Sequence, residues 1–129
     1  MTGLLGRKVG MTRVYDQNGR QLPVTVIELG PCVAVQRKSS AGKDGYDAVK
    51  LGFLDQKAGR LAKAQARIYE KLSVTPCMHV KEFRVNAGDE VKPGDKVTAA
   101  VMKDAAFVDI TGVTKGRGFQ GVVKRHRMK

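Results

Sequence analysis

The sequence predicts a mainly β protein, a barrel or sandwich with a helical insertion and a basic closing segment. Three observations carry that expectation. Short runs rich in Val, Ile and Leu recur along the chain, separated by turns of Gly, Pro, Asn and Asp. One stretch, near 58–72, switches to helical spacing. The last nineteen residues, Thr111 to Lys129, hold six of the chain's 24 Lys and Arg and none of its 12 Asp and Glu.

The elements follow in order. From Met1 to Val14, apolar Leu4, Leu5, Val9, Met11 and Val14 are interrupted by Gly3, Gly6 and Gly10. Glycine at that density opposes a helix and suits an extended segment with bulges. Arg7, Lys8 and Arg13 fall within it and serve either to protect an edge strand or as a phosphate-contacting strip. Asp16 to Gly19 reads as a turn, with Asn18-Gly19 suited to positive φ. Pro23 to Leu29 is a β-branched strand, and Gly30-Pro31 ends it. Cys32 to Arg37 and Tyr46 to Phe53 form a hairpin across the polar turn at 39–45.

Over Ala58 to Leu72, the residues Leu61, Gln65, Ile68 and Leu72 predict the inner line of a helix that ends before Pro76. Lys63, Arg67 and Lys71 are expected on its solvated face. Met78 to Val85 returns to strand, and Lys92-Pro93-Gly94-Asp95 is a tight turn. Val97 to Val101 and Ala106 to Val113 are the last predicted strands.

Composition narrows the function. A formal charge of +12 and a pI of about 10.1 call for a polyanionic partner, with nucleic acid ahead of an acidic membrane surface. The chain has no Trp and 5% aromatics, so its core must rest on Val, Leu, Ile and Ala. Two cysteines, Cys32 and Cys77, are expected as reduced thiols rather than a disulfide framework. No apolar run approaches the roughly eighteen residues of a membrane helix, and a cytoplasmic location is the expectation.

Three groups of residues are the candidates for chemistry. Gly116-Arg117-Gly118-Phe119-Gln120-Gly121 matches G-x-G-x-x-G after a predicted strand, but no second strand or acidic ribose ligand follows, and no kinase lysine or catalytic loop accompanies it. Cys32, Cys77, His79 and His126 lack zinc-site spacing. No nucleophile–base grouping is supported, so no enzyme, cofactor, metal or small-molecule substrate is expected. What remains is the basic segment. Lys115, Arg117, Lys124, Arg125, Arg127 and Lys129 are suited to phosphates, and Gly116, Gly118 and Gly121 let backbone approach them. Phe119 is expected to anchor the segment to the core, with base stacking as the alternative.

These pieces have a familiar order. GLLGRKVGMTRVYDQNG at the start, PVTVIE, DGYDAVKLGF, KEFRV, and DITGVTKGRGFQGVVKRH at 109–126 resemble the bacterial-type ribosomal protein L-three family over essentially the whole chain. The resemblance implies a translation-protein-type β-barrel and a long basic loop running through large-subunit ribosomal RNA toward the peptidyl-transferase region. It implies a structural, non-catalytic protein in the large subunit that supports early assembly beside the proteins numbered fourteen and nineteen, with no membrane contact. By that match, residues 1–110 are the barrel portion and 111–129 begin the extension. Gly116, Arg117, Gly118, Phe119, Gly121, Lys124, Arg125 and His126 lie at the extension's root, with Arg7, Lys8 and Arg13 on the N-terminal basic strand. The family pattern continues past this point and returns with barrel-closing strands. An N-terminal portion with an incomplete barrel is therefore expected.

Overall fold

The computed structural model describes residues 3–85, 89 and 91–128. The elements run β1 (Gly6–Tyr15), β2 (Gln21–Leu29), β3 (Cys32–Lys38), β4 (Ala48–Asp55), a 3-10 turn (Ala58–Arg60), α1 (Lys63–Leu72), β5 (Cys77–Arg84), β6 (Lys96–Val97), a second 3-10 turn (Ala99–Met102) and α2 (Val122–His126). The strands form two antiparallel sheets, a β1–β2 ribbon and a four-stranded sheet ordered β5–β4–β3–β6. The chain is mainly β, as its sequence indicates. Neither sheet closes on itself, so the barrel is incomplete over the described residues.

The ribbon is set by its turn. Asp16 Oδ1 accepts from the backbone N–H of Asn18 at 2.9 Å and of Arg20 at 2.8 Å. Gly19, at φ 73°, supplies the left-handed residue that returns the chain. Between Lys8 and Gly10 the register slips, so Val9 is an extra residue on β1.

The core belongs to the larger sheet. On one face Cys32, Ala34, Val49, Leu51, Phe53, Val85 and Val97 are buried together, with Leu4, Leu5, Leu54, Phe83 and Val91 packed around them. Leu54, at φ 60°, breaks the alternation of β4, so Phe53 and Leu54 both join this cluster. On the other face Val35, Tyr69 and Cys77 form a second cluster under α1. A Cβ added to Gly52 would stand 2.6 Å from Cys77 Sγ, so only glycine lets these strands close there.

Four expectations are corrected. The buried contact of α1 is made by Tyr69, with Leu72 and, just before the helix, Leu61 packed beside it, whereas Gln65 and Ile68 are exposed at the rim of the cleft they line between α1 and the sheet. Tyr69 governs because its ring fills the space over Val35 and Cys77. The strand expected at 97–101 stops at Val97, because β3 offers β6 only Cys32 and Val33, and the chain then coils into the turn at Ala99–Met102. The segment 106–113 forms no strand, since no described strand pairs with it. Phe119 is not a core anchor; its ring is fully exposed.

Leu51 is the largest fully buried side chain. Leu51→Ala is expected to cost about 2–5 kcal/mol, from lost burial and the cavity left behind. Ile68→Ala, at a position already 44% exposed, should cost under about 1 kcal/mol. Urea midpoints of the two variants measure the difference.

Candidate nucleic-acid interface

The expected site residues fall on two elements. Arg7, Lys8 and Arg13 lie on β1, all exposed. Lys115, Gly116, Arg117, Gly118, Phe119 and Gly121 lie on the irregular segment before α2, and Lys124, Arg125 and His126 lie on α2 itself. Arg127 caps that helix in the left-handed conformation, at φ 52°. Lys129 lies outside the described residues.

The C-terminal segment is open at every described basic position and at Phe119. Lys115, Arg117, Phe119, Lys124, Arg125, His126 and Arg127 are all exposed. Among the described residues none of its Lys or Arg side chains makes an ion pair. Gly118 needs its glycine, at φ 71°, whereas a Cβ on Gly116 or Gly121 would meet nothing within 4 Å. The turn of α2 draws Lys124, Arg125 and His126 into one five-residue helix with three basic residues in its last turn, the end where the helix dipole favours cations. The geometry is thus a set of unneutralised charges on a backbone with little side-chain bulk.

A different arrangement of charge, not expected from the sequence, sits at the end of the large sheet. Lys38, 14% exposed, lies 3.2 Å from Asp44 and 3.2 Å from Glu82. Tyr46 Oη donates to Glu82 Oε2 at 2.9 Å and accepts from Lys38 Nζ at 2.9 Å. Arg84 lies over the Tyr46 ring, 4.3 Å from its centre. Nearby, Arg37 pairs with Asp47 at 3.8 Å. Asp44 and Asp47 therefore tie the loop to β3. Lys38 and Tyr46 flank the 39–45 turn, so closing the hairpin brings them together. The Glu82 contact depends on the β4–β5 register and left no sequence signal. These cations are spent on the fold and are poor candidates for a partner.

Cys32 and Cys77 are buried and free, and burial pushes both thiols up from their ordinary value. Among the described residues no group of three or more His, Cys, Asp or Glu could hold a metal ion, and no helix is long and apolar enough to cross a membrane.

Comparison with known proteins agrees with this chemistry. The family described as Ribosomal protein L3 matches residues 61–129. The chain is 46% identical over 136 residues to "Large ribosomal subunit protein uL3" of Koribacter versatilis (strain Ellin345), covering 98% of this chain and 55% of that protein. It is 44% identical over 124 residues to the protein of the same name from Magnetococcus marinus (strain ATCC BAA-1437 / JCM 17883 / MC-1), covering 96% of this chain and 58% of that one. An antiparallel β body carrying unpaired basic residues thus falls among the ribosomal proteins. The chain belongs to the ribosomal protein L3 family. It spans a little over half the length of these curated relatives.

The charge cluster on the sheet gives a pH dependence. The Tyr46 hydroxyl, and after it the Lys38 ammonium, hold the Glu82 carboxyl below its ordinary value of 4.5. Its contribution to stability is therefore complete above that value and is lost as pH falls through the lower, folded one. Lys38 is raised above its ordinary 10.5, chiefly by the hydrogen bond to Tyr46, so its contribution is complete below 10.5 and fades only as pH rises through the folded value. Glu82→Gln should therefore lower stability most at neutral pH and converge on the parent as pH falls through the folded value, which flattens the acid limb of the profile. Thermal melts taken from neutral pH downward, parent against variant, measure that slope.

Proposed function

We propose that this chain is a structural, RNA-binding component of the large ribosomal subunit. The observation that carries the reading is the exposed segment 111–128, whose Lys115, Arg117, Lys124, Arg125 and Arg127 have no acidic partner among the described residues. Family membership and the printed name of the relatives support the same assignment.

The mechanism is electrostatic and geometric. Each unpaired cation displaces a counterion from an RNA phosphate, and the arginines add bidentate geometry. Gly116, Gly118 and Gly121 bring backbone close to the ribose-phosphate chain where a side chain would hold it away. The exposed ring of Phe119 is available to stack on an unpaired base. His126 and Lys129 extend the same basic run, and β1 carries a further group of basic residues, Arg7, Lys8 and Arg13, of which Arg7 is paired with Glu28. On this reading residues 1–110 are the scaffold and 111–129 the penetrating element. By family resemblance the partners are large-subunit ribosomal RNA and the neighbouring proteins numbered fourteen and nineteen, with a role in early assembly near the peptidyl-transferase region. No step of chemistry is assigned to the chain.

The test is the salt dependence of binding to in vitro transcribed large-subunit RNA. Arg117→Ala, Lys124→Ala and Arg125→Ala should each lower the slope of log affinity against log salt by about one. Unchanged slopes for all three would overturn the assignment of this segment to RNA.

A further inference from the structure

The β1–β2 ribbon has two faces of different chemistry, and the bulge at Val9 decides which residues share a face. Simple alternation along β1 sets Arg7 and Arg13 on the same side. The extra residue reverses that. Arg7 pairs in register with Glu28, and Arg13 with Pro23, five positions away on a regular β2, so the two arginines emerge on opposite faces.

The face with Arg7 also bears Val14, Leu22, Val24 and Val26. Its single cation is neutralised, since Arg7 Nη2 donates to Glu28 Oε2 at 2.8 Å. The opposite face bears Lys8, Met11, Arg13 and Tyr15, opposed by Ile27, Thr25, Pro23 and Gln21. Met11 and Tyr15 are 67% and 65% exposed. Arg13 is held differently from Arg7. With the Gln21 amide in the orientation that satisfies both groups, its oxygen accepts from Arg13 Nη1 at 2.8 Å and from Nε at 3.2 Å. An amide orients a guanidinium without cancelling its charge, so Arg13 is positioned on this face with its charge unneutralised by any described carboxylate. Tyr15 lies two residues on, about 7 Å along the same face. A cation and an exposed ring at that separation match a phosphate and an unpaired base of one nucleic-acid strand.

We propose that the Lys8–Met11–Arg13–Tyr15 face of the ribbon is a second RNA-binding surface. It takes a single-stranded segment, with Arg13 on a phosphate and Tyr15 stacked on a base, while Arg7 faces away. This rests on the RNA-binding reading above and divides the basic strip on β1, with Arg13 and Lys8 on the RNA and Arg7 off it.

The test uses the whole chain, in vitro transcribed large-subunit RNA and a salt titration. Arg13→Gln should lower the salt slope by about one, whereas Arg7→Gln, an equal loss of charge, should leave it unchanged. Tyr15→Leu should weaken binding about 5- to 100-fold with no change of slope, as loss of stacking rather than charge requires. Irradiation should cross-link Tyr15 to RNA, a readout that is unaffected by whether a variant folds. Equal effects of Arg7→Gln and Arg13→Gln, or no cross-link at Tyr15, would overturn the proposal. If only the Arg117, Lys124 and Arg125 variants change RNA binding, the ribbon surface fails while the function stands. If the parent chain does not bind the RNA, both fail. Loss of binding to phosphatidylglycerol vesicles on Arg13→Gln, with RNA binding unchanged, would assign the face to a membrane surface and overturn it as well.

Discussion

The structure depends on burying β4 on both faces. Val49 and Leu51 have no exposed surface, and the strand is hydrogen-bonded to β3 on one side and β5 on the other. A strand in that position must offer side chains to one cluster while leaving room for another. Gly52 provides the room, because the strand draws against Cys77 there and α1 can lie across the sheet through Tyr69. The left-handed residue Leu54 then shifts the alternation and lets Phe53 and Leu54 share the first core. With few aromatics, the body has little apolar bulk to spare, so small and β-branched residues must fit closely.

Charge is handled in two ways in this chain. On the sheet, Lys38, Arg37 and Arg84 are engaged by aspartates, Glu82 and the Tyr46 ring, which fixes the loop at 39–47 and removes those charges from the exterior field. On the segment after residue 110 and on one face of the ribbon, the cations have no acidic partner among the described residues. A net charge of +12 is thus an unequal distribution, with neutralised basic residues where the chain packs and bare ones where it does not.

Much of this was legible from the sequence. The β3–β4 hairpin followed from two alternating runs around a polar turn, and the basic segment from simple counting. The side of α1 that faces the sheet was legible from Leu61 and Leu72, but Tyr69 as its buried anchor was not, because only the space over Val35 and Cys77 favours its ring over Ile68. Phe119 looked buried because Val122 and Val123 follow it, yet all three side chains are exposed. The two faces of the ribbon were hidden for a different reason. The glycines of β1 signalled a bulge but not its position, and one extra residue reverses every side chain beyond it. The cations were visible in the sequence, but their facing was not.

The two thiols have a practical consequence. Cys32 and Cys77 are buried and held protonated by desolvation, so neither is a ready nucleophile toward an alkylating dye. A cysteine placed at the exposed Gln17 on the ribbon tip would outcompete both for a maleimide. The natural chain is therefore already suited to single-site fluorescent labelling, without first removing the cysteines that its core needs.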